Sequence, residues 1–150
     1  MGGSSIARRH VFLLAHHPLT QRESIILEDL AFYPRFIYDQ GIKNSFSFAE
    51  EPHVTEPVEK AIIVSDRASL FNLLIGLSDY AISSGILSVD LNGGNIVAVP
   101  FIPGGTTEIG YIHQAYLPLT PLAQRYRAML RSYIDFYFSE HDISGEAIKQ

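Results

Sequence analysis

Three short clusters hold the side chains best suited to chemistry: Tyr38-Asp39-Gln40, Ser65-Asp66 and Ser83-Ser84-Gly85. Each follows a short apolar run (RFIY, AIIV and YAI), where a buried strand would give way to a turn. If those strands run parallel, their carboxyl ends gather on one edge of a sheet, the place where open α/β sheets bind ligands. A helix expected over Arg67–Ser78 would aim the free N–H groups of its first turn at the same edge, favouring a carboxylate or other anion. A plainer role exists for every one of these residues. Ser65 and Asp66 suit helix capping, since a short oxygen side chain accepts from those N–H groups, and Gly85 suits a turn. Capping or turn duty is favoured for any single residue; for the set, convergence favours ligand contact.

Other chemistries find less support. Ser84 beside Gly85 after a strand imitates part of a hydrolase nucleophile, but G-x-S-x-G is absent and no convincing helix follows. His16 and His17 would point to opposite faces of an extended chain, with no third ligand at helical spacing, which favours a turn over a metal site. His10, His53, His113 and His141 are scattered. Gly93-Gly94 and Gly104-Gly105 match no phosphate-binding loop and read as turns. No cofactor is expected.

The elements that must position these clusters are legible from the apolar pattern. Ala61–Val64 reads as a strand covered on both faces. Leu70, Leu73, Leu74 and Leu77 then mark one stripe of a helix, and Tyr80–Ile82 reads as the next strand. Such strand–helix–strand units build parallel sheets. Val11–Ala15 and Arg35–Tyr38 are further buried strands, with a helical turn at Leu27–Leu30 between them. Ser45–Glu51 suits a short helix, and Pro52 and Pro57 bracket an extended link. Ile96–Ile102 is strand-like, with Pro100 demanding an edge or a bend, and Glu108–Tyr116 reads as another strand. Thr120-Pro121 is an N-cap with proline at the first helical position. Leu122, Tyr126, Met129, Leu130, Tyr133 and Tyr137 mark one face of the long helix that follows, and its aromatic surface suits either its own sheet or a second copy. The fold class is therefore α/β: a Rossmann-like, mostly parallel sheet flanked by helices, with a long C-terminal helix.

Size and composition agree with one domain. The 150 residues are 47% hydrophobic and 18% charged, enough for a core and unlike a disordered tail. A net charge of −5 supplies no basic face for nucleic acid. Cysteine is absent, which excludes disulfides and zinc–thiolate sites, and no apolar run approaches the roughly 18 residues of a membrane span. Met1–Ser5 reads as a leader and Ser139–Gln150 as a polar tail.

The order of these pieces resembles LysR-type transcriptional regulators. VFLLAHHPLTQRESIILEDLAFYPRFIY is similar to the segment of that family in which a strand, a His-Pro-Leu turn and an Asp-Leu pair precede a strand of the second lobe. SLFNLLIGLSDYAISSGIL resembles its helix and following strand, with Gly76 and Ser84-Gly85-Ile86 at the family's glycine positions but Asp79-Tyr80 departing from them. LPLTPLAQRYRAMLRSYI resembles its closing strand and terminal helix. The resemblance spans about Val11 to Ile134 and implies an effector-binding lobe like that of periplasmic binding proteins. It implies a fragment over residues 6–138: a second lobe plus the strand and helix that return to the first. It further implies a cytoplasmic, non-enzymatic homodimer that binds a small anionic effector, and DNA only through a module absent from this chain. DRASLFNLLIGL and AISSGIL are also similar to regulators of cysteine and methionine metabolism. A periplasmic-type solute-binding lobe and a small hydrolase using Ser84 are the competing readings.

Overall fold

The computed structural model describes residues 5–39 and 60–141. The readings made for Gln40, for a helix over Ser45–Glu51, for the Pro52–Pro57 link and for the tail from residue 142 onward lie outside the described residues. The chain divides into two compact units, residues 8–105 and residues 1–7 with 106–150.

The larger unit is built on a five-stranded sheet. Its strands are β2 (His10–Leu14), β3 (Arg35–Tyr38), β4 (Ala61–Val64), β5 (Tyr80–Ser83) and β6 (Ile96–Pro100), in the spatial order β4-β3-β5-β2-β6. β3 pairs parallel with β4 and β5, whereas β2 pairs antiparallel with both β5 and β6. The sheet is thus mixed. Its parallel character is confined to β4-β3-β5, and β2 runs against all its companions.

Alternation along β2 assigns the two faces. Phe12 joins Phe36, Val64, Ala81 and Ile96 on one side, where Leu70 and Leu74 of helix α1 (Arg67–Leu77) close over them. Val11 and Leu13 join Tyr80, Ile82, Val99 and Phe101 on the other. That side is covered by Leu19, Ile25 and Leu30 from two 3-10 turns, Pro18–Gln21 and Leu27–Leu30. The period of two is the pleat, and both faces are dry. His17 caps the first turn by accepting from the Leu19 N–H at 3.2 Å and lies edge-on to Tyr33, the turn role expected of it. The second turn is clamped by Asp29, whose carboxylate accepts from the Ile26 N–H and pairs with Arg22 at 2.9 Å.

Several expectations need correction. β4 lies at the sheet edge, so Ile63 is 71% exposed and only Val64 is buried; a continuous apolar run does not separate an edge strand from a central one. Leu77 leaves the helical stripe for solvent, and Phe71 joins Leu73 against the core instead. α1 ends one residue early because Ser78 turns left-handed as its C-cap, at φ 57°. A single-turn helix, α2 (Val89–Asn92), precedes the Gly93-Gly94 turn. β6 is the other edge strand, with Pro100 as its last residue, where a missing N–H costs no ladder bond.

In the smaller unit β1 (Ser5–Arg8) pairs with β7 (Thr106–Ile109) as a two-stranded sheet. β7 stops at Ile109; the expected strand to Tyr116 is irregular beyond Gly110. α3 (Pro121–His141) starts where the capping pair placed it, with the Ala123 N–H donating to Thr120 Oγ1 at 3.2 Å. It runs three residues into the expected tail. The face marked by Leu122, Tyr126, Met129 and Tyr133 is exposed, and Phe138 is the aromatic it buries.

Candidate functional site

Parallel pairing delivers three of the predicted strand ends to one rim. Tyr38 lies opposite Val64, and Arg35 opposite Tyr80, so Tyr38 is level with Ser83 three residues further along each strand. The Asp39 N–H donates to the Val64 carbonyl at 2.7 Å, carrying the ladder to the start of the Ser65-Asp66 turn. Tyr38, Asp39, Ser65, Asp66, Ser83, Ser84 and Gly85 therefore share the carboxyl edge of β3, β4 and β5; Gln40 lies outside the described residues.

Their duties differ. Asp66 is the N-cap of α1, its carboxylate accepting from the Ser69 N–H at 2.8 Å and from Ser69 Oγ at 2.7 Å. Those bonds hold its carboxyl below the usual carboxylate range. Ser65 is exposed, Ser84 half-buried, and Ser83 buried under α1. Gly85 turns with φ +80°, and the place of its missing Cβ is taken by the imidazole of His10, whose Cγ and Cε1 would lie 2.8 and 2.9 Å away.

Two residues that sequence reasoning passed over join this rim. His10 starts β2 opposite Ser83, because the antiparallel strand begins where its neighbours end. It is buried, and its Nδ1–H donates to the Arg8 carbonyl at 2.9 Å, which leaves Nε2 as the acceptor of the neutral ring. Desolvation pushes its pKa below the ordinary histidine value, against the pull of that carbonyl, and Arg8's charge adds to the lowering. The ring is therefore neutral at pH 7. Arg67, the first residue of α1, lines a small recess together with Tyr38, Ser83, Phe12 and Phe71. Burial lowers its guanidinium from the usual range, with Tyr38 opposing the shift, and it stays cationic at any physiological pH. Its position could have been read from the sequence: side chains of a helix's first turn point back toward the preceding strand.

The recess has a volume of about 20 Å³. A single water needs roughly 10–15 Å³, so the space anchors one functional group and not a whole metabolite. No hydrogen bond joins His10 to Ser83 or Ser84 among the described residues, so the nucleophile–base contact of a hydrolase is missing there. Nor do three His, Cys, Asp or Glu side chains come together among the described residues.

The Asp66 cap makes a measurable contribution. Its folded pKa is depressed, so the stabilisation is complete above the ordinary value and disappears as pH falls through the lower folded one. Asp66→Ala is expected to lower the thermal midpoint at pH 6–7, and the gap to wild type is expected to narrow as pH falls through and below the ordinary carboxylate range. A gap that stays constant across an acid titration followed by circular dichroism would remove the carboxylate from the cap.

No protein-family model matches the chain, and no curated protein matches it. Solved structures do. The PA01 protein of Pseudomonas aeruginosa, assigned to the LysR family of transcriptional regulators, superposes with TM-score 0.61 at 13% identity, over 88% of this chain and 49% of that one. The effector-binding domain of QuiR in complex with shikimate gives 0.57 at 17% identity, over 86% and 62% of the two chains. The reduced OxyR regulatory domain from Pseudomonas aeruginosa gives 0.57 at 20%, over 87% and 62%. This chain thus spans between about half and under two thirds of those proteins. What it shares with them is the mixed α/β fold, with its sheet and C-terminal helix, of LysR effector-binding domains.

Proposed function

We propose that the chain is a ligand-sensing effector-binding domain of a LysR-type transcriptional regulator, non-enzymatic and cytoplasmic, binding a small anionic metabolite at the carboxyl rim of β3, β4 and β5. The observation that carries this reading is the meeting of Tyr38, Ser83 and the cationic Arg67 in one recess at that rim. A carboxylate oxygen fits the available space, and a guanidinium supplies directed donors for it. Ser69 occupies the oxygens of Asp66 but leaves its charge in place, and the Arg67 cation in the recess is what offsets it. The QuiR domain solved with shikimate is a precedent for a small-molecule ligand on this fold. In a regulator carrying a DNA-binding module, the ligand would act by its differential affinity for two arrangements of the homodimer. The choice of sulfur amino acids as effectors rests on the likeness of Asp66–Leu77 and Ala81–Leu87 to regulators of cysteine and methionine metabolism.

A thermal-shift series with O-acetylserine, cysteine, methionine and their α-carboxamides, which lack the carboxylate, tests this. At a hundredfold excess over Kd an effector stabilises by about 2.7 kcal/mol, a shift of several degrees for a domain this size. The acids are expected to shift the midpoint and the amides not. Arg67→Gln and Ser84→Leu are expected to remove the shift. If both variants respond like wild type, the rim is not the site.

A further inference from the structure

A second hollow, of about 440 Å³, lies in the smaller unit between the chain leaving β7 and one side of α3. Its walls include Ile109 and Tyr111 from the first and Arg127, Leu130, Arg131 and Ile134 from the second. The α3 residues recur at i, i+3, i+4 and i+7, so they form one face on which an apolar row (Leu130, Ile134) runs beside a cationic row (Arg127, Arg131). The volume falls within the roughly 300–1,000 Å³ of small-molecule pockets. No acidic residue lines it.

The arginines are held with donors to spare. Arg127 Nη1 donates to the Tyr111 hydroxyl at 3.2 Å, and its guanidinium carbon lies 5.7 Å from the centre of that ring. One such contact uses one of five N–H groups, and the aromatic face keeps the head against the wall. Arg131 Nε is 3.6 Å from the Asp135 carboxylate in a half-exposed i,i+4 pair, a weak contact readily exchanged for a better partner. An apolar floor beside two cations, one of them anchored on Tyr111, selects a compact apolar body bearing a single anionic group. A sugar phosphate would leave the apolar row uncovered, and a neutral hydrocarbon would leave the guanidinium donors unused.

We propose that this hollow is a binding site for an aromatic monocarboxylate, separate from the rim of the five-stranded sheet. Its carboxylate bridges Arg127 and Arg131, and its ring lies on Ile109, Leu130 and Ile134.

Calorimetric titration of the 150-residue chain with 2-naphthoate and with 2-naphthamide tests the assignment. The acid is expected to bind at least tenfold more tightly than the amide, whose shape is the same. Arg127→Gln and Arg131→Gln are each expected to weaken the acid about tenfold and leave the amide unchanged. Ser84→Leu, at the other site, is expected to change neither, so failure of the effector reading would leave this result standing. Equal affinity for acid and amide in the unaltered chain would overturn the proposal, as would acid binding indifferent to both arginine changes.

Discussion

Replacing Gly85 with alanine is expected to destabilise the larger unit by about 4 kcal/mol, the sum of two penalties of roughly 1–3 kcal/mol each. The backbone at Gly85 has φ +80°, a region that a Cβ makes costly. The added methyl would also fall inside the His10 ring, which is buried and tied to the Arg8 carbonyl, so it has no open space to enter. For a chain of this length the loss corresponds to a fall in thermal midpoint on the order of 10 °C. Chemical denaturation gives the same quantity as a change in midpoint at constant slope. His10→Ala in the Gly85→Ala background is expected to recover about half of the loss, the steric part, and none of the backbone part. Two residues in contact are where such additivity should fail. A midpoint unchanged by Gly85→Ala would show that the turn and the ring are not packed as described.

That contact also shows how far the sequence could be read. The strands holding the three polar clusters are short, apolar and sharply bounded, so β3 and the β4–α1–β5 unit were legible from pattern alone, as was the shared rim of Tyr38, Ser65 and Ser83. Strand direction is a different matter. Val11–Ala15 carries no mark of whether it pairs parallel or antiparallel, because both faces are buried either way. In a parallel sheet its far end, at His16 and His17, would have reached the rim. The antiparallel pairing sends His17 to the opposite edge and brings His10 to Ser83, so a histidine that looked scattered lies at the candidate site. Similarly, the period of α3 was legible but what it packs against was not: a stripe of Leu122, Tyr126, Met129 and Tyr133 says that a face is apolar, not that it is covered.

Phe12→Ala is the change expected to join stability to the recess at the rim. Phe12 sits on β2 between β5 and β6, 1% exposed, with its ring stacked on Phe71 at 6.0 Å between centroids. It packs in the cluster that includes Phe36, Leu70 and Leu74, and it forms one wall of the space shared by Tyr38, Arg67 and Ser83. Truncating such a ring costs about 3–5 kcal/mol, because the transfer free energy of the ring is lost and a sheet interior closes only partly over the gap. Against a total stability of about 5–15 kcal/mol, that loss leaves a much reduced denaturation midpoint. On the side of Phe36, Leu70, Phe71 and Leu74 the gap would be an apolar chamber on the order of 100 Å³, a scale at which cavities lined by hydrophobic side chains stay dry and take up small aromatic molecules. Benzene is therefore expected to raise the midpoint of Phe12→Ala and leave wild type unmoved, while Phe12→Leu, which keeps most of the volume, loses far less stability. A Phe12→Ala loss below about 1 kcal/mol would mean that the ring does not fill the space between α1 and the sheet, and the rim built on that packing would lose its floor.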